Sequence, residues 1–326
     1  MSDPVLSIDD LHVEFRTEDG VVKAVDGVSY ELGKGEIIAV LGESGSGKTV
    51  HARAVLRILD TPPAHITGGR AMLGDVNLFD LDEADMREVR GARIAMLFQD
   101  PHTALDPVYT VGDQIVELLR LRRGISTKEA RDQALELLER VGIPSPEGRL
   151  NAYPHQLSGG IAQRVMVAMA VALDPDVLLA DEPTSSLDVT VQAQVLELLG
   201  SLVSETEMSM VLITHNLAVA VGLADRIAVM YAGQLVELGP AKEVYANPKH
   251  PYTAALLRSI PDIERRDERL PAIKGAPPNL LHPPSGCPFH PRCPYATEIC
   301  LTAMPPLDEV GPEHVTACYH WDEVQR

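Results

Sequence analysis

The segment Gly42-Glu43-Ser44-Gly45-Ser46-Gly47-Lys48-Thr49 constrains this chain more than any other. It fits G-x-x-x-x-G-K-[ST] at every fixed position. Its flanks supply the context that gives the pattern meaning. Ile37 to Leu41 (IIAVL) reads as a buried strand, and Thr49 to Leu59 reads as a helix. In such a strand–loop–helix unit, backbone amides from Gly42 through Ser44, Gly45 and Gly47 cradle phosphates. Lys48 neutralises the β/γ charge, and Thr49 ligates Mg²⁺.

A second Gly-rich loop, Leu157-Ser158-Gly159-Gly160, lies downstream. Gly159 and Gly160 lack Cβ atoms, so their amides can approach an anion closely. Ser158 adds a hydroxyl, and the run Ile161 to Leu173 reads as a helix whose positive end faces the same anion. One nucleotide rarely needs both loops from one chain. The economical arrangement is a head-to-tail dimer with ATP held between one subunit's first loop and the other's second. A third element, Val177 to Glu182 (VLLADE), is a short apolar strand ending in two acids. Successive strand residues point to opposite sides. Asp181 is therefore assigned to the Mg²⁺ shell and Glu182 to polarising the attacking water.

Between and around these motifs the chain divides by pattern. Residues 1 to 41 hold short strands with a polar turn at Thr17 to Gly20, and 42 to 99 end in a strand, Ile94 to Phe98. Residues 100 to 173 are mostly helical. Val111 to Arg122 and Thr127 to Val141 show apolar spacing near 3.6, with Thr127 as N-cap and Gly142 at the C-terminus of the second helix. Residues 174 to 240 alternate again: helix from Asp188 to Thr206, strands Met210 to Thr214 and Arg226 to Tyr231. This alternation predicts an α/β core with a largely parallel sheet. The nucleotide module is not repeated.

The order of phosphate loop, Gln99, LSGG, Asp181-Glu182, Ser186-Leu187-Asp188 and His215 resembles the ATP-binding subunits of ABC transporters over residues 5 to 240. That resemblance implies a P-loop (RecA-like) α/β core, an N-terminal antiparallel β subdomain and a helical signature subdomain over about 100–173. It also implies roles. Gln99 contacts Mg²⁺ and the attacking water and signals to membrane subunits, Asp188 crosses the dimer interface, and His215 contacts the γ-phosphate. Asn216 stands where the family commonly has Asp, at a position that does not touch nucleotide. The family stacks adenine on an aromatic residue N-terminal to the phosphate loop. Phe15 is the better of the two candidates, Tyr30 being the other, with plain core packing as the competing reading for Phe15.

Residues 241–326 form an extension of different composition. Eleven prolines fall between Pro271 and Pro312, which forbids long helices and central strands. Cys287, Cys293, Cys300 and Cys318 all lie there, and the ATPase core has none. The stretches Gly286-Cys287-Pro288-Phe289 and Pro291-Arg292-Cys293-Pro294 resemble the C-terminal region of oligopeptide/dipeptide importer ATPases, as does Val189 to Gln194 after Asp188. Disulfides are disfavoured in a reducing compartment. A [4Fe–4S] cluster, a Cys₄ zinc site and unliganded thiols remain open, and the family resemblance favours the cluster. Because the extension lies outside every nucleotide motif, replacing a cysteine is expected to leave Mg-ATP binding at Lys48 and Thr49 intact.

A net charge of -19 argues against nucleic acid and anionic lipid as partners. No apolar run approaches the ~20 residues of a membrane span, and no signal peptide opens the chain. The expectation is an ATP-hydrolysing subunit of a peptide importer on the cytoplasmic face of the membrane. The partners expected are two permease subunits, an extracytoplasmic peptide-binding protein and a second, different ATPase. A nickel or other small-solute importer ATPase and a soluble non-transport ABC ATPase are the alternatives.

Overall fold

In the computed structural model, which describes residues 3–259 and 273–325, the chain starts with a long hairpin, β1 (Leu6–Thr17) and β2 (Gly20–Leu32), then enters β3 (Ile37–Leu41). Helix α1 (Lys48–Val55) follows the phosphate loop. Strands β4 (Ala64–Leu73) and β5 (Val76–Asn77) return to the hairpin, and α2 (Glu83–Val89) leads into β6 (Ile94–Leu97). A helical stretch follows: α3 (Pro101–Ala104), α4 (Val111–Arg123), α5 (Thr127–Arg140), α6 (Pro146–Leu150) and α7 (Gly159–Val171). Alternation resumes with β7 (Val177–Asp181), α8 (Val189–Thr206), β8 (Ser209–Ile213), α9 (Leu217–Leu223), β9 (Arg226–Tyr231) and β10 (Gln234–Pro240). The extension holds α10 (Ala241–Ala246), α11 (Pro251–Arg258), α12 (Glu298–Thr302), β11 (Asp308–Gly311) and β12 (His314–Thr316).

The larger sheet has eight strands in the order β11-β12-β10-β9-β3-β8-β7-β6. Its centre, β9-β3-β8-β7-β6, is parallel, and β10, β12 and β11 continue it antiparallel. Strands β3, β7 and β8 are buried at every residue, which is why they read as unbroken apolar runs. Both faces are covered. In β7, Leu178 and Ala180 join the core under the helical stretch, while Val177 and Leu179 join the core shared with α1 and the β hairpin. A third core sits over β3 and β9. It combines Ala39, Leu41 and Tyr231 with Tyr252, Cys287, Phe289 and Cys300 of the extension.

The α/β core and the helical stretch match the sequence-based expectation, with local differences. The N-terminal strands are longer than the alternation suggested, because register shifts after Ile8, Leu11 and Val13 reset the inward face. Strand β4 completes that antiparallel sheet by pairing with β1, a long-range partnership no local pattern announced. Helix α1 stops at Val55, short of Leu59, and Arg57 turns away with φ 53. The N-cap of α5 is Ser126 rather than Thr127: Ser126 Oγ accepts from Glu129 N at 3.3 Å. The capping side chain must sit just outside the helix, and Thr127 is already inside it. In the extension, Pro312 falls in the turn between β11 and β12, where a missing N–H costs no ladder bond. Pro271 lies outside the described residues.

Candidate active site

The phosphate loop leaves the buried end of β3 and closes into α1. Gly42 and Gly47 have φ of 154° and 101°. A Cβ at Gly42 would meet Met230 O at 2.3 Å, and one at Gly47 would meet Ala24 O at 2.3 Å. Glycine is required at both because neighbouring backbone closes on the loop from outside. Lys48, 5% exposed, reaches back across the loop, its Nζ donating to Gly42 O at 2.8 Å and Glu43 O at 2.9 Å. Burial lowers its pKa, and the carboxylates of Glu182, Asp181 and Glu43 oppose that shift.

The acidic end of β7 lies beside this loop. Thr49 Oγ1 donates to Asp181 Oδ1 at 2.9 Å. Asp181 is 1% exposed, and its Oδ2 is buried without a hydrogen-bond partner. Burial pushes the Asp181 carboxyl up, and the Thr49 hydrogen bond with the Arg53 and Lys48 cations pulls it back. An orphaned carboxylate oxygen beside a threonine hydroxyl is an all-oxygen donor set, and it fits Mg²⁺. Glu182 adopts a left-handed φ of 45°, which turns its side chain out of the strand register. There Gln99 Nε2 donates to Glu182 Oε2 at 3.1 Å, and His215 Nδ1 lies 3.4 Å from Glu182 Oε1. Three parallel strand ends, β6, β7 and β8, thus bring Gln99, Glu182 and His215 together from positions far apart in sequence. Asn216 caps α9, accepting from Ala218 N at 3.1 Å and Val219 N at 3.3 Å, so its amide oxygen does the work an aspartate would do there.

The second Gly-rich loop is elsewhere. Ser158 is the N-cap residue of α7 without a side-chain capping bond, and Gly159 and Gly160 open the helix. A Cβ at Gly160 would come within 2.6 Å of Val191 Cγ1, and one at Gly159 within 3.6 Å of Leu187. The loop therefore packs against the Leu187–Val191 turn. Asp188 sits in that turn and caps α8, accepting from Thr190 N at 3.1 Å and Val191 N at 3.0 Å. Helix α7 packs on α3, α4, α5, α8 and β6, whereas α1 packs on β1, β2 and β7. Phe15 is half-buried, opposite Val22 and Ala64, and packs against the hairpin core.

The four cysteines, scattered over the extension, line one cavity with His250, Phe289, His290, Tyr319 and His320. Among the described residues no group of three His, Cys, Asp or Glu side chains is arranged to hold a metal ion. The thiols nevertheless sense one another. Burial raises the pKa of Cys287, and pushes Cys293 up to about 11 and Cys318 up to about 12, with neighbouring cysteines adding to each shift. The His320 N–H donates to Cys318 Sγ at 3.4 Å and opposes the rise there.

A family model described as "ABC transporter" matches residues 25–185, and one described as "Oligopeptide/dipeptide transporter, C-terminal region" matches residues 236–300. A putative peptide import ATP-binding protein of Brucella abortus is 48% identical, covering 98% of this chain and 98% of the relative. The chain belongs to the ABC transporter ATPases that carry an oligopeptide/dipeptide transporter C-terminal region. This ABC ATPase is also 46% identical to the dipeptide transport ATP-binding protein DppD of Bacillus subtilis, over 98% of the chain and 95% of the relative. The oligopeptide transport ATP-binding protein OppD of the same organism is 47% identical, over 95% and 87%. A dimeric ATP-binding cassette solved in a post-hydrolysis state with ADP and Pi matches with a TM-score of 0.65 at 27% identity, covering 72% of this chain and 98% of the cassette.

Within this ABC ATPase the extension does not stand clear of the nucleotide motifs, as its separate composition suggested. The hydroxyl of Tyr252 accepts from Glu43 N at 2.7 Å. Arg292 donates to both Glu43 carboxylate oxygens, at 2.7 and 2.9 Å. No sequence pattern assigned either residue to the nucleotide site, because nothing local marks a contact across 209 and 249 residues of chain.

Proposed function

We propose that this ABC ATPase hydrolyses ATP to drive peptide import through membrane permease subunits. The observation that carries the reading is its similarity, over nearly the whole chain and including the C-terminal region, to relatives named for peptide, dipeptide and oligopeptide transport. Among the described residues no helix is long and apolar enough to cross a membrane, so transport requires separate membrane-spanning partners. The finer assembly is a heterodimer with a second ATPase, on two permeases at the cytoplasmic face, fed by an extracytoplasmic peptide-binding protein. Residues 1–240 act as the nucleotide-binding unit, with a helical part over about 100–173, and 241–326 as the C-terminal extension.

The chemistry follows from the residues gathered at the sheet edge. Gly42, Ser44, Gly45, Gly47 and Lys48 hold the phosphates, and Phe15 stacks on adenine. Thr49, Asp181 and Gln99 would hold Mg²⁺, which would supply positive charge to offset that of the phosphates. Glu182 takes up hydrogen bonding from the attacking water, Gln99 orients it, and His215 contacts the γ-phosphate. The apposition of Gln99 and His215 on the two Glu182 oxygens supports this division. Ser158, Gly159 and Gly160 pack with the Asp188 turn rather than with α1, which supports their serving a partner's nucleotide, with Asp188 at the dimer interface. The gathering of Cys287, Cys293, Cys300 and Cys318 around one cavity supports a [4Fe–4S] cluster on them, with Zn²⁺ and unliganded thiols the other readings; iron, sulfide and zinc analysis of anaerobic protein separates the three.

The test of cargo is ATPase activity of the complex, with permeases, binding protein and partner ATPase, in liposomes. Di- and oligopeptides should stimulate hydrolysis. Stimulation by nickel and by no peptide would move the assignment to the small-solute class.

A further inference from the structure

Glu43, the second residue of the phosphate loop, is held from three sides. Inside, its carbonyl accepts from Lys48 Nζ at 2.9 Å. Outside, Tyr252 takes its N–H and Arg292 takes its carboxylate as a two-pronged fork. The Arg292 side chain is only 4% exposed. Its Nε donates to Lys274 O at 3.0 Å, its Nη1 also to Tyr231 Oη at 3.2 Å, and its guanidinium lies 5.8 Å and 5.9 Å from the Tyr231 and Phe289 ring centres. Arg292 ends a tight turn, His290–Arg292, directly before Cys293. That turn is tied by His290 N to Cys287 O at 3.0 Å, Arg292 N to Phe289 O at 2.9 Å and Cys293 N to His290 O at 3.2 Å. Its position therefore depends on the segment that runs from Cys287 to Cys293.

The Glu43 carboxylate is felt at Lys48, the cation assigned to the phosphates. Unpaired, it would offset part of that cation's charge and leave the outer side of the loop untethered. We infer that Arg292 is a positioning residue for ATP: its fork neutralises Glu43 and fixes the phosphate loop, so the cysteine-bearing turn sets nucleotide affinity from outside the site. This requires only that ATP binds the phosphate loop. It does not depend on which metal, if any, the cysteines hold, or on peptide as cargo. It also reverses the expectation that changes among the cysteines leave ATP binding untouched.

The experiment measures Mg-ATP affinity of the full chain by displacement of a fluorescent ATP analogue. Emission of Trp321, the single tryptophan and a residue of the extension, reports whether the extension stays folded. Arg292→Gln should raise the Kd about tenfold, the size typical of coupling within one ion-pair network. Arg292→Lys keeps the charge and loses the fork, and should raise it about threefold. Arg292→Gln with Glu43→Gln should bind more tightly than Arg292→Gln alone, because the uncompensated carboxylate is gone. In the assembled transporter Arg292→Gln should raise KM for ATP with kcat nearly unchanged. Wild-type affinity in Arg292→Gln with Trp321 emission unaltered overturns the inference, and so does a double variant no better than the single. If Arg292→Gln unfolds the extension, Arg292→Lys decides: wild-type affinity overturns the inference, and the threefold loss supports it.

Discussion

In the phosphate loop the backbone carries the geometry, whereas in the C-terminal extension the side chains carry it. The loop is shaped by left-handed glycines packed against neighbouring carbonyls and by one lysine bonded to two carbonyls. The extension has short elements separated by proline-rich chain. It is ordered by an aromatic cluster of Tyr231, Tyr252 and Phe289, by a cysteine-lined cavity, and by Glu237. Glu237 is fully buried on β10 and accepts from Lys249 N at 2.7 Å, His250 N at 2.9 Å and His314 Nε2 at 2.8 Å. A motif can be read residue by residue because its backbone path recurs wherever the residues do. A side-chain lattice has no such local signature, since each member is defined by what it touches.

The contrast is sharpest at Glu182, the carboxylate proposed to polarise the attacking water. Glu182→Gln keeps the shape of the site but loses the carboxylate that the proposal makes the base. In the assembled transporter kcat should fall by about 10²–10⁴, while Mg-ATP affinity and Trp321 emission stay near wild type. Near wild-type hydrolysis would remove Glu182 from its role. Glu237→Ala attacks the other region. It strands buried donors from two segments of the extension and should cost about 3 kcal/mol in denaturant unfolding, with Trp321 emission shifting before the core unfolds. A single, unshifted transition would show that the extension contributes less to order than its contacts imply.

Acid probes both regions through one buried histidine each. His51, in α1, is hydrogen-bonded to Tyr30 Oη and Lys48 O, and burial lowers its pKa to about 4. His250, whose Nδ1 accepts from Tyr252 N, is lowered by burial to about 3. Both stay neutral in the folded chain below pH 6.5 while their unfolded counterparts take up protons. Stability should therefore fall as pH drops from about 6.5 toward 4, by about 1.4 kcal/mol per pH unit for each histidine. His51→Asn and His250→Asn should each flatten that slope. An unaltered slope in either variant would show that its histidine is not the group responsible. The smallest effect is expected at a helix end in the ATPase core. Ser126→Ala should cost about 1 kcal/mol, and Thr127→Ala much less, which separates the true cap from its neighbour.

Much of the core was legible. The buried strand Ile37–Leu41 and the strand Arg226–Tyr231 have the limits their apolar runs suggested, and the helices of residues 111–140 follow their spacing. Gln99, Glu182 and His215 were each named from motif order, and they meet in space because each follows the end of a neighbouring parallel strand. Strand β4 was not legible, because its exposed middle carries no alternation and its partner lies more than one element away. Nor was the seating of the extension: β12 pairs with β10, and Arg292 reaches Glu43, through contacts between residues distant in sequence.

The α/β core, the phosphate loop with its lysine and threonine, the acidic pair at a strand end, and the concentration of cysteine and proline in the last quarter of the chain are written in the residues themselves. Each of these follows from local rules: periodicity, glycine where a Cβ cannot fit, and residue types matched to phosphate and Mg²⁺. That the four cysteines share one cavity emerges only on folding. The same holds for the extension continuing the main sheet and for Arg292 and Tyr252 bonding the phosphate loop from outside. Burial and charge pairing are properties of surfaces brought together by folding. A carboxylate at position 43 reads as an ordinary loop residue until the chain places a guanidinium against it.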